Sequence, residues 1–151
     1  MENKLKVLSL FTGIGGMDMG FDGEVIVHKD SIVNNDFIEK SYTLKDFVIL
    51  KKNNFTSVFQ NDILTGAKEV FGFNNDNSKY NTTSIYTLIS ENFVFPQADI
   101  VIGGFPCQDF SHAGKRKGFK SNKAHDLKEK VETKKENSRG SLYKSFVEVV
   151  K

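Results

Sequence analysis

Two short apolar runs, each stopped by glycines, constrain this chain more than any other feature. Val7-Leu8-Ser9-Leu10-Phe11 has the length of a strand and ends at Thr12-Gly13-Ile14-Gly15-Gly16, where glycines permit a tight turn. Met17 to Phe21 then reads as the start of a helix. Further on, Asp99-Ile100-Val101-Ile102 repeats the pattern and ends at Gly103-Gly104, just before Phe105-Pro106-Cys107. Apolar runs of this kind suit strands of a parallel sheet covered on both faces, and strand, glycine turn and helix in that order open an α/β nucleotide-binding fold. Ligands of such sheets gather at the carboxyl ends of the strands. Both glycine-marked ends are therefore expected to face one crevice.

The chain between and beyond them fills in the same architecture. Thr56 to Gln60 predicts another strand, followed by Asn61-Asp62 and a helical stretch from Thr65 to Phe71. Asn74 to Thr83 is polar and asparagine-rich, which predicts a loop. Residues 22–54 are too long for a simple return and hold a β-like patch from Glu24 to His28, so they read as an insertion. Residues 121–137 are charged and poor in apolar side chains, as expected of a loop with some helical character. From Ser141 to Val150, Leu142, Phe146 and Val149 recur at helical spacing. The expected fold is α/β with a parallel sheet, and a chain that stops inside this last helix is expected to be truncated at its C-terminus.

With 151 residues the chain matches one domain large enough to bury a core. Cys107 is the single cysteine, so no intramolecular disulfide can form, and a reducing cytoplasm is the expected location. The first residues show neither a signal peptide nor a membrane span, and no metal site is expected. A formal net charge of +2 says little about partners, but its distribution says more. From Lys115 to Glu136, nine basic residues face four acidic ones. A solvated loop and a surface that meets phosphates are both open readings of that run.

Three features could carry chemistry. The glycine turn lets backbone approach a ligand closely, and a dinucleotide or S-adenosylmethionine would each suit it. An acidic residue at the end of the second strand would bind ribose hydroxyls; Asp62 follows Val58-Phe59 as that role requires, whereas Asp36 and Glu39 lack a preceding strand pattern. Asp62 as a cap for the helix at Thr65 is the alternative. Cys107 at a strand end could be inert packing or a nucleophile; reactivity needs a thiolate, which Lys115 and Arg116 would favour.

The order and wording of these segments resemble the DNA cytosine-5 methyltransferases. Phe11-Thr12-Gly13-Ile14-Gly15-Gly16-Met17 with Gly20-Phe21 resembles that family's first motif, which binds S-adenosylmethionine. Gly103-Gly104-Phe105-Pro106-Cys107-Gln108-Asp109-Phe110-Ser111, with Gly114-Lys115 and Lys117-Gly118-Phe119, resembles its catalytic loop. Val58 to Ile63 is similar to the second motif and Ser138-Arg139-Gly140-Ser141-Leu142 to the fifth. The resemblance implies a Rossmann-like methyltransferase fold and Cys107 as the attacking thiol. It implies cofactor contacts from Phe11, Gly13, Ile14, Gly15, Gly16, Asp62, Ile63, Ser84, Ile85, Gly104, Pro106 and Leu142, and DNA contacts from Gln108, Ser111, Lys115 and Arg139. Double-stranded DNA is the implied substrate, flipped at the target base, and a restriction–modification system the implied setting.

The chain also departs from the family pattern. Where the third motif offers an aspartate to the adenine amino group, Ser84-Ile85 is the nearest candidate. The glutamate that assists at cytosine N3 belongs to a Glu-Asn-Val motif after the fifth motif, and Glu91-Asn92-Phe93 and Glu136-Asn137-Ser138 both precede Arg139-Gly140. Residues 1–151 are thus expected to be the N-terminal part of a cofactor-binding and catalytic domain, without a target-recognition region. General acid help is typically worth about 10² to 10⁴ in rate, so the isolated chain is expected to have negligible activity. It would then either complement a second polypeptide or bind only cofactor or DNA.

Overall fold

A computed structural model gives the fold and describes residues 4–42, 44–105 and 141–151. Its centre is a four-stranded sheet of β1 (Leu5–Leu10), β5 (Phe55–Asn61), β6 (Tyr80–Asn81) and β7 (Ile100–Gly103), in the order β6-β5-β1-β7. Every pairing in it is parallel. Taken in chain order, these strands run third, second, first, fourth across the sheet. The direction of winding therefore reverses between β1 and β7, and a ligand crevice opens outside the carboxyl ends at such a reversal.

Alternation along β1 sends side chains to two covered faces. Leu8 and Leu10 join Phe59, Ile85, Leu88 and Leu142 in one buried cluster, which packs α3 (Ile85–Ser90) and α4 (Leu142–Val150) on that face. Ser9 points the other way and its hydroxyl donates to Asp18 Oδ2 at 3.0 Å, in α1 (Gly16–Asp22). Also outside that cluster, Phe71 of α2 (Thr65–Asn74) is buried with its ring centroid 5.1 Å from that of Tyr80. Among the described residues no helix is long and apolar enough to cross a membrane.

The segment expected as an insertion is more ordered than its sequence suggested. Beyond the β-like patch, which becomes β2 (Ile26–His28), it forms β3 (Ile38–Ser41) and β4 (Phe47–Leu50), and the three pair antiparallel in the order β2-β4-β3. Glu39 lies in β3 and Asp36 in the short 3-10 turn that leads into it, so both belong to this inserted unit. The stretch expected as a loop, Asn74 to Thr83, contributes Tyr80–Asn81 as an edge strand beside Gln60 and Asn61. Its two residues are too few to leave a periodic signal, and the edge of β5 supplies the missing partner.

Candidate functional site

The glycine turn sits where the sheet reverses. Leu10 pairs with Gly103 at the ends of β1 and β7, and the rings of Phe11 and Phe105 meet edge to face at 6.3 Å. The two glycine-marked strand ends thus lie side by side at the carboxyl edge of the sheet. Three residues of the turn take left-handed backbone: Phe11 at φ 55°, Gly13 at 57° and Gly15 at 86°. For Phe11 that conformation costs energy, which packing must offset. At Gly15 any Cβ would also lie 2.6 Å from the buried Phe71 ring, so only glycine fits. Among the described residues, beyond the chain neighbours and the helix's own backbone, no atom stands within 4 Å of the Cβ position at Gly13 or Gly16, which leaves room beside the turn for a ligand.

Polar groups from β1, the end of β5, and β6 with the segment that follows it hold this turn. Thr12 Oγ1 donates to Ser9 Oγ at 2.9 Å and accepts from Asn61 N–H at 3.3 Å, while Thr12 N–H donates to Asn61 O at 3.0 Å. Asn61 is itself buried and its Nδ2 donates to Asn81 O at 3.0 Å and Thr83 O at 2.8 Å. That side chain therefore ties the end of β5 to the segment leading into Ser84 and Ile85. Asp62 Oδ2 accepts from Gly13 N–H at 3.0 Å and Oδ1 from Leu64 N–H at 3.0 Å. The bond to Leu64 N–H stands just before α2, where the capping alternative put Asp62, and the bond to Gly13 gives it a role in the turn that neither reading held. Its carboxylate retains lone pairs, since two oxygens offer about four acceptor sites.

Beneath the turn lies a carboxylic acid. Asp18 is fully buried, and among the described residues its Oδ1 has no hydrogen-bond partner. Burial pushes its carboxyl above the usual aspartate range, against the lowering influence of the Ser9 hydroxyl. Tyr80, also buried, donates its phenol to Gly13 O at 2.8 Å. Burial, then the charges of Asp62 and Asp18, raise that phenol above the usual tyrosine range, so it stays protonated and donates. Sequence reading singled out neither Asp18 nor Tyr80; a lone tyrosine in a polar stretch was the available signal.

The remaining expected cofactor residues fall on the walls. Ile14 is exposed at the tip of the turn, Ile63 is half-buried after Asp62, and Gly104 is exposed beyond β7. Ser84 is buried with its Oγ unpartnered among the described residues. Ile85 and Leu142 are completely buried within the core cluster, so they back the crevice from beneath. Pro106, Cys107, Gln108, Ser111, Lys115 and Arg139 lie outside the described residues, as do the basic run and the loop expected at 121–137. Among the described residues no group of three or more histidine, cysteine or carboxylate side chains could hold a metal ion.

Comparison with known proteins gives this arrangement a context. The family model described as C-5 cytosine-specific DNA methylase matches residues 5–138. The type II methyltransferase M.BspRI of Lysinibacillus sphaericus is 34% identical over 117 residues, covering 76% of this chain and 26% of that protein. M.NgoFVII of Neisseria gonorrhoeae, another type II methyltransferase, is 31% identical over 149 residues, covering 99% of this chain and 28% of its own length. The chain thus spans about a quarter of the length of these curated relatives. A parallel α/β sheet with a glycine turn at its reversal is the fold such a domain requires, and the chain belongs to the C-5 cytosine-specific DNA methylase family.

Proposed function

We propose that this chain is the cofactor-binding and nucleophile-bearing part of a DNA cytosine-5 methyltransferase of a restriction–modification system. One observation carries the reading: the turn at Gly13 to Gly16 opens onto the end of β7, from which Gly104-Phe105 leads directly into Pro106-Cys107. A ligand on the turn and a base near Cys107 would therefore meet across one crevice.

S-adenosylmethionine fits the residues present and, when bound, supplies an electrophilic methyl group. Gly13 and Gly16 would admit it close to the backbone, Gly15 would give the turn its left-handed shape against Phe71, Asp62 would take ribose hydroxyls on its spare lone pairs, and Phe11, Ile63, Ser84, Ile85, Gly104, Pro106 and Leu142 would form or back the walls. The open space beside Gly13 and Gly16 supports that fit. Cys107 would add as thiolate to C6 of a flipped cytosine, forming a carbon–sulfur bond and making C5 nucleophilic. C5 would then take the methyl group, whose former sulfonium sulfur leaves as a neutral thioether, and loss of the C5 proton to a base with expulsion of the Cys107 thiolate would restore the ring. Gln108, Ser111, Lys115 and Arg139 would hold the DNA around the target, largely through phosphates.

Trapping tests this. Duplex DNA carrying 5-fluorocytosine is incubated with S-adenosylmethionine, the chain and any polypeptide encoded directly downstream that completes the length of the relatives. The expected result is a denaturation-resistant adduct that Cys107→Ser abolishes. No adduct with the completed protein, or an adduct that survives Cys107→Ser, would reject the assignment.

A further inference from the structure

Gly13 is held on both sides of its Cα. Its N–H donates to Asp62 Oδ2 at 3.0 Å and its carbonyl accepts from Tyr80 Oη at 2.8 Å. The two partners come from different elements, Asp62 from the end of β5 and Tyr80 from β6, and neither is near Gly13 in sequence. Tyr80 is fixed in turn: 3% exposed, it packs against Phe71, the same ring that presses on Gly15. The left-handed backbone of Gly13 and Gly15 is thus braced before any ligand arrives.

We propose that Tyr80 is a positioning residue for the cofactor turn, its buried hydroxyl acting with the Asp62 carboxylate to hold the Gly13 backbone in its ligand-ready shape. The inference rests on the proposal that S-adenosylmethionine binds at this turn. The hydroxyl suits the task because its phenol is kept protonated by burial and by the nearby acidic groups, so it always donates. Without it the Gly13 carbonyl would lose its partner, and the turn could sample other glycine conformations whose entropy binding would then have to overcome.

Tyr80→Phe removes the hydroxyl and keeps the ring against Phe71. In the ligand-free chain, the Gly13 amide should exchange with solvent about tenfold faster, because its local opening loses one hydrogen bond of opposition. The amides of Val7 to Leu10 in β1 should exchange as before, which separates a loosened turn from a weakened fold. Titration with S-adenosylmethionine by calorimetry should show affinity reduced about five- to tenfold, as loss of one such bond implies. Unchanged exchange at Gly13 would overturn the brace, and faster exchange with unchanged affinity would overturn its role in binding. Should Tyr80→Phe slow or speed β1 and Gly13 alike, Tyr80 is a core residue only. Failure of the unsubstituted chain to bind S-adenosylmethionine would instead reject the cofactor assignment, and this inference with it.

Discussion

At the carboxyl end of the parallel sheet, Ser9, Asp18, Gln60 and Asn61 are buried polar side chains, whereas the antiparallel sheet leaves apolar ones in water. There Ile26 is half exposed, and Val33 and Phe37 in its connections are more so. Its polar contacts are local side-chain-to-backbone bonds and surface ion pairs, Lys29 with Asp46 and Lys52 with Glu24 at 2.7 Å, the paired side chains more than half exposed. The first region spends hydrogen bonds on fixing one backbone shape. The second is held mainly by its own ladder. Precision in this molecule is concentrated where a ligand would sit, and exposed ion pairs of the second kind contribute little to stability.

Substitutions should expose that contrast. Leu142→Ala, at a completely buried position beneath the crevice, is expected to cost about 2–5 kcal/mol in a denaturant titration. A smaller loss would mean that α4 is not part of the core. Gly15→Ala combines left-handed strain with a Cβ driven against the Phe71 ring, and should cost about 2–4 kcal/mol while eliminating S-adenosylmethionine binding. Near-native stability together with normal binding would show that the turn is not fixed as described.

A milder probe uses pH. Folded Asp18 holds its proton to higher pH than it does in the unfolded chain, so its contribution to stability falls as pH rises from about 4, the ordinary aspartate value, through its raised folded value, and is level above that. Asp18→Asn cannot ionise. Its melting temperature relative to the unsubstituted chain should therefore climb across that acid range and plateau towards neutrality. Asp22, raised mainly by burial, is present in both proteins and largely cancels from the difference. A difference independent of pH would show that Asp18 is not held above its ordinary value. At the other extreme, Lys29→Ala removes the exposed pair with Asp46 and should leave the melting temperature unchanged within error; a clear drop would make the second sheet less loosely held than its exposure indicates.

Local pattern carried much of this architecture. The runs at Val7 and Ile100 are dense enough in apolar residues to declare strands, the one at Thr56 does so by Val58-Phe59 among β-compatible neighbours, and Leu142, Phe146 and Val149 declare a helix by spacing. β3 escapes because Ile38 is the only apolar residue in Ile38-Glu39-Lys40-Ser41, and its pairing with β4 comes from across a turn. α3 was not anticipated either, although Ile85 and Leu88 bury one face of its six residues, a stretch too short for periodicity to establish. At the site, the glycines and Asp62 were legible as residue types in order. The bonds from Asp62 and Tyr80 to Gly13 were not, since they join segments 49 and 67 residues apart and depend on how strands align. Family resemblance alone favours Cys107 as nucleophile, which spacing left between nucleophile and packing, and that residue lies outside the described ones.

The antiparallel sheet leaves and rejoins the main fold at one place. Gly23 and Lys52 form an antiparallel bridge, Asn53 N–H donates to Asp22 O at 3.1 Å, and Asn53 Nδ2 reaches Gly20 O at 3.0 Å. To the crossover from α1 to β5, everything between those residues is equivalent to a short turn, because its ends are already closed. Lengthening, exchanging or deleting such an appendage changes little of the closure entropy of the chain that carries it. The fold thus has a socket at the foot of its sheet, closed by its own bonds and set at the end opposite the glycine turn.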